Sequence, residues 1–118
     1  MIVYLHKKCS TCQHARSFLE AQGCTYAVKD IVATPPTLLE LERMLDYQAG
    51  NIRKLFNTSG ILYREMGLAT KLATMPKEEA LQLLSQNGML IKRPFLLAET
   101  FGLLGFQEAQ WHKALSPN

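Results

Sequence analysis

Ile2-Val3-Tyr4-Leu5-His6-Lys7-Lys8-Cys9-Ser10-Thr11-Cys12 decides the fold of this chain. Four apolar, β-favouring residues come first, then charge, then two cysteines three residues apart. The apolar run reads as a strand, and Gln13 to Gln22 reads as a helix, with Ala15, Phe18 and Leu19 on one stripe. A Cys-x-x-Cys between a strand and a helix is a redox arrangement. Residues three apart on a helix share a face, so the two thiols can approach to bonding distance. The first cysteine then stands at the helix start, where unpaired amides and the macrodipole favour a thiolate. Lys7, Lys8 and His14 add local positive charge. Cys9 is assigned as nucleophile and Cys12 as the resolving thiol.

Working outward, Gly23 is a C-cap for this helix. Cys24 to Val28 alternates and is rich in strand formers, so it is expected to be the second strand. Strand, helix and strand with short links make a βαβ unit with parallel strands. Pro35-Pro36 then breaks the chain. Thr37 and Glu40 have the spacing of a capping box, and Leu38, Leu41, Met44 and Leu45 make the stripe of a helix ending near Gly50. From Asn51 to Gly88 the pattern stays helical in short pieces: Ile52 to Phe56, Ile61 to Gly67, and Lys77 to Ser85 behind Pro76. Leu90 to Ala98 is strand-like on both sides of Pro94, which belongs at a strand start because it has no donor. Gly102 to Phe106 reads as a fourth strand and Glu108 to Leu115 as a terminal helix. Ser116 to Asn118 reads as a frayed tail. The fold class is therefore α/β.

The chain has 118 residues, a length for one domain spanning 1–118, with a helical insertion at about 37–88. A net charge of +3 does not argue for nucleic acid, and no direct nucleic-acid contact is expected. No window has the ~20 apolar residues of a membrane span, and the N-terminus lacks the features of a signal peptide. A cytoplasmic, monomeric protein without membrane contact is expected. In that setting three cysteines point to redox or metal chemistry before a structural disulfide framework. A zinc site needs about four ligands. Only Cys24, His6 and His14 remain, without regular spacing, so no metal site is expected. Cys24 reads as a core residue, and His6 and His112 as non-catalytic.

Beyond the cysteine pair, Thr34-Pro35-Pro36-Thr37 follows the second strand. Leu55-Phe56-Asn57-Thr58-Ser59-Gly60 leads to Tyr63-Arg64-Glu65-Met66-Gly67-Leu68. Gly88-Met89-Leu90-Ile91-Lys92-Arg93-Pro94 precedes the third strand. In this order, over nearly the whole chain, these motifs resemble the arsenate-reductase-like family that also contains the Spx transcriptional regulators. They look most like the Spx-related branch that carries a Cys-x-x-Cys.

The resemblance implies a thioredoxin-like fold, β-α-β then β-β-α, with the inserted helical segment. It implies that Arg93 lies beside the redox cysteine and that Pro94 follows a cis peptide bond. Arg93 joins Cys9 and Cys12 as a catalytic candidate, and Ser10, Thr11, Asn57 and Pro94 are candidates for substrate contact. Strand alternation would set Lys92 on the face opposite Arg93.

Arsenate reductases of the family lack a cysteine at the position of Cys12 and hold the oxyanion with two further arginines. Asn57 stands where one is expected, and Thr100 to Gly105 offers none for the other. A thiol-disulfide oxidoreductase that reduces arsenate poorly is the activity so implied. It would bind no cofactor and be recycled by a cellular thiol reductant, either glutathione with glutaredoxin or a thioredoxin-like protein. The alternative is an Spx-like redox-sensing regulator whose partner is the RNA polymerase alpha subunit.

Overall fold

The computed structural model describes residues 1–116. β1 (Ile2–Leu5), β2 (Ala27–Asp30), β3 (Phe95–Leu97) and β4 (Gly102–Leu104) form one sheet in the order β2-β1-β3-β4. β1 runs parallel to β2, and the β1–β3 and β3–β4 pairs are antiparallel. The helices are α1 (Ser10–Ala21), α2 (Leu38–Tyr47), α3 (Ile61–Glu65), α4 (Leu68–Lys71), α5 (Lys77–Gln86) and α6 (Glu108–Leu115). Short 3-10 turns occupy Ile52–Leu55 and Gly88–Leu90. No helix among the described residues is long and apolar enough to cross a membrane.

Alternation along the strands divides the interior in two. Val3, Leu5, Leu96 and Leu103 pack with Cys12, Ala15 and Leu19 of α1 and with Trp111 of α6. Tyr4, Phe95 and Leu97 point the other way, onto Leu41, Met44 and Leu45 of α2 and Ala80, Leu81 and Leu84 of α5. Each large apolar side chain so buried contributes about 1.5–3 kcal/mol. The Tyr4 ring meets Phe95 edge-on, with centroids 5.6 Å apart.

The α2 capping box is present, Thr37 Oγ1 accepting from Glu40 N–H at 3.2 Å and Thr37 N–H donating to the Glu40 carboxylate at 3.0 Å. The same carboxylate accepts from the Tyr4 hydroxyl at 2.6 Å, tying the start of α2 to the centre of the sheet. Burial, then that hydrogen bond and the negative charge of Glu40, push the Tyr4 phenol well above its ordinary range.

The strand expected over Cys24–Val28 forms three residues later. α1 ends in a Schellman motif, with Gly23 N–H donating to Glu20 O at 3.1 Å and Cys24 N–H to Leu19 O at 3.2 Å. Gly23 has φ +70°, the left-handed conformation the motif requires. The amide of Cys24 is thus occupied by the helix terminus, and pairing with β1 begins only at Ala27. The helix expected from Gln13 instead starts at Ser10, because Cys9 itself caps it.

β3 is shorter than expected: Ile91 makes only an isolated bridge to Phe56, and regular pairing waits until Phe95, after Pro94. β4 ends at Leu104, where Gly105 turns the chain with φ +70°. The terminal helix has the expected bounds. Of the expected frayed tail, Pro117 and Asn118 lie outside the described residues.

Candidate functional site

Cys9 is the N-cap of α1, with the extended backbone typical of that position, φ −107° and ψ 112°. Its sulfur does what a serine or aspartate oxygen does elsewhere, accepting the Cys12 N–H at 3.2 Å. The Cys9 N–H donates to His6 O at 3.1 Å, which fixes the turn from β1. The sulfur thus stands against the unpaired amides of the first helical turn. Cys9 is partly exposed, whereas Cys12, one turn further on, is buried at 1% exposure in the apolar layer beneath α1. Both thiols are free in this structure.

The two sulfurs differ in environment. Burial pushes the Cys12 thiol up to about 12 from an ordinary 9.0, and its hydrogen bond to Cys9 adds to the rise. A backbone hydrogen bond from His6 and the Arg93 charge act in the opposite direction. Cys12 is therefore a protonated, shielded thiol in the reduced protein, and Cys9 is the one open to a reaction partner.

Cys9 and Thr11 line a cleft of about 400 Å³ with Asn57, Ser59, Lys92 and Arg93. Its far wall is Leu104, Gly105, Phe106 and Gln107, from the turn after β4. A short antiparallel pairing aligns the two polar walls. Asn57 N–H donates to Leu90 O at 2.7 Å, and Lys92 N–H to Leu55 O at 2.9 Å. This clamps the Asn57 loop beside Arg93. Gly60 lets the Asn57 side chain fold over it, since a Cβ there would meet Asn57 Nδ2 at 2.8 Å.

The Arg93–Pro94 peptide is cis, as the resemblance implied. Arg93 Nη1 is buried and has no hydrogen-bond partner among the described residues. A guanidinium donor withdrawn from water without a partner is costly, and an anionic or carbonyl oxygen in the cleft would complete it.

The structure thus brings Cys9, Thr11, Asn57 and Arg93 together. Ser10 is exposed on the first turn of α1, and Pro94 is buried, its carbonyl accepting Gly105 N–H at 2.9 Å; neither side chain lines the cleft. His14 is exposed and also lies outside it. Cys12 borders a separate groove of about 310 Å³ between α1 and β2.

Lys92 departs from expectation. It lines the same cleft as Arg93, because the chain bends at 93–94 and regular strand geometry begins only at Phe95. Alternation does not apply to residues outside the ladder. Phe106 and Gln107 carry no sequence signal for this site, since only the tertiary fold brings the turn after β4 to the cysteine. Among the described residues, no group of three or more His, Cys, Asp or Glu side chains gathers in a metal-binding arrangement.

A sheet of this order, with a partly exposed cysteine capping the first helix and a cis-proline loop across from it, defines a thioredoxin-like protein. The chain matches the ArsC family over residues 4–114 and belongs to it. It is 38% identical over 110 residues to the uncharacterized protein YusI of Bacillus subtilis, covering 93% of each chain. It is 26% identical over 100 residues to global transcriptional regulator Spx 2 of Oceanobacillus iheyensis, covering 85% of this chain and 73% of that one. An ArsC-family-related protein from Bacteroides fragilis has a crystal structure that superposes with a TM-score of 0.89 at 39% identity, covering 95% of this chain and 94% of that one.

Proposed function

We propose that the protein is a thiol-disulfide oxidoreductase in which Cys9 is the nucleophile and Cys12 the resolving thiol. The observation that carries this reading is the asymmetry of the pair. One sulfur caps a helix at the mouth of a cleft holding an unpaired guanidinium donor, and the other lies buried one turn behind it.

The Cys9 thiolate attacks one sulfur of a disulfide, and the other sulfur leaves as a thiolate. Cys12 then attacks the Cys9 sulfur, releasing the second substrate thiolate and giving its proton to that group or to water. The substrate disulfide gains two electrons and becomes two thiols, and Cys9–Cys12 becomes a disulfide. A cellular thiol, either a small thiol or a thioredoxin-like protein, returns the electrons. Arg93 offsets the negative charge on the sulfurs during exchange.

The test is oxidation by a small excess of a disulfide followed by peptide mapping. A Cys9–Cys12 bond with Cys24 free is the expected product, and a bond that includes Cys24 would overturn the assignment.

Kinship with Spx supports a second reading, in which the same disulfide is a sensor and the protein docks on the RNA polymerase alpha subunit. Co-purification with polymerase that changes with the oxidation state of Cys9 would favour it. Turnover of a disulfide with a thiol reductant favours the first.

A further inference from the structure

Lys92 is the cationic residue of the cleft that strand alternation would have turned away, and its setting is built. Its alkyl stem lies across Gly105, where a Cβ would come within 3.0 Å of Lys92 Cε. Gly105 is fixed on both sides: its N–H donates to Pro94 O at 2.9 Å, and its carbonyl accepts the buried Trp111 indole N–H at 2.9 Å. A residue with a side chain at 105 would also have to hold φ +70°. The glycine thus provides a shelf along which the lysine enters the cleft.

Lys92 also lines an adjoining cleft of about 470 Å³, which shares Leu104 and Gln107 with the first. The second cleft adds Arg53 and Lys54, together with the neutral hydrogen-bonding side chains Gln48, Asn51 and Gln110. Among the described residues, no carboxylate lines either space. Among the described residues, the only ion pair is Arg16–Glu20, so Arg53, Lys54, Lys92 and Arg93 are not neutralised by an acidic partner. Arg53 is turned partly inward, donating to the Tyr63 hydroxyl at 2.9 Å, which leaves Lys54 and Lys92 as the freer charges.

We propose that Lys92 joins the two clefts into one basic groove, and that this groove selects peptide disulfides carrying carboxylates beside the reacting cysteine. The proposal rests on the exchange chemistry assigned to Cys9 and names its substrate class. The cations attract the carboxylates, and the amide-bearing side chains between them offer hydrogen bonds to peptide groups. The sulfur attacked by Cys9 lies where the first cleft meets the helix start. Unneutralised charge of one sign in a cleft raises the encounter rate with ligands of the other sign by tenfold or more, and salt removes the advantage.

The experiment compares three synthetic tripeptide disulfides, of Glu-Cys-Glu, Gln-Cys-Gln and Lys-Cys-Lys, as oxidants of the reduced Cys24→Ser protein at low and high salt. The expected order is acidic, neutral, basic, with about a tenfold acidic-to-neutral rate ratio that falls as salt is added. Lys92→Gln should lower that ratio severalfold, while Lys71→Gln, outside both clefts, should keep it. Equal rates for the three peptides, or an unchanged ratio in Lys92→Gln, overturn the basic groove while leaving the exchange chemistry in place. Failure of every peptide to oxidise Cys9 overturns the exchange reading and the groove with it.

Discussion

Competitive alkylation of the three cysteines should separate Cys12 from the others by orders of magnitude. Iodoacetamide reacts with thiolates, so its rate follows the ionised fraction. An ordinary thiol value of 9.0 leaves about one part in a hundred ionised near pH 7. A value of about 12 leaves about one part in a hundred thousand, a thousandfold less. The 1% exposure of Cys12 adds a steric barrier to this. The assay labels the reduced protein for graded times, then digests it and quantifies each cysteine peptide by mass spectrometry. Urea-unfolded protein supplies the reference rate. Cys12 should label at least about a thousandfold slower in the folded protein than in urea, and its rate should rise about tenfold per pH unit above neutrality. Burial is the largest cause of the shift, so most of the protection should survive in Cys9→Ala, which removes the hydrogen bond between the thiols. Labelling of Cys12 within tenfold of the unfolded rate, or a rate flat in pH, would refute the argued environment.

Gly88→Ala should destabilise the protein by about 1–3 kcal/mol or more, because a Cβ at Gly88 would collide with the backbone carbonyl of Ile31; urea melts check this, and an unchanged midpoint would contradict it. Arsenate, supplied with glutathione and glutaredoxin, should be turned over well below ~1 per second, because Asn57 and the lysine on the Gly105 shelf lack the planar fork that grips an oxyanion in two places; faster turnover would show that the arginines are dispensable. Asp30 accepts Ala33 N–H at 3.1 Å and, with a smaller effect, Val32 N–H at 2.8 Å, which lower its carboxyl from 3.8. Its contribution to stability is therefore present above the unfolded value and lost as pH falls below it. Asp30→Ala should lose less stability than wild type across that acid range, and parallel acid titrations of the two would refute the reading.

The sequence carried the parts of the fold that depend on local chemistry. Thr37 and Glu40 announce their helix because a capping box is a contact between near neighbours. Ile2–Leu5 is a strand by composition and is found with those bounds. β2 was displaced because Cys24 reads equally well as a strand opener or as the last donor of a helix terminus. Only the completed Schellman motif decides between them. The cysteine pair and Arg93 were legible, the first from spacing and the second from family likeness. Lys92 was not, because its direction depends on where β3 begins, and a proline just before the strand moves that point by several residues.

Trp111 is the single tryptophan of the chain, fully buried, with its indole N–H on the Gly105 carbonyl and its ring 5.1 Å from that of Phe106. Gly105 and Phe106 are both walls of the cleft that holds Cys9. The indole is thus wired to the Cys9 cleft through one hydrogen bond and one ring contact, without facing solvent. Its fluorescence is an intrinsic optical gauge of the pocket: emission should respond when the wall shifts on filling or on oxidation of the cysteine pair. The oxidation and reduction proposed for the cysteine pair can then be timed without attaching a dye.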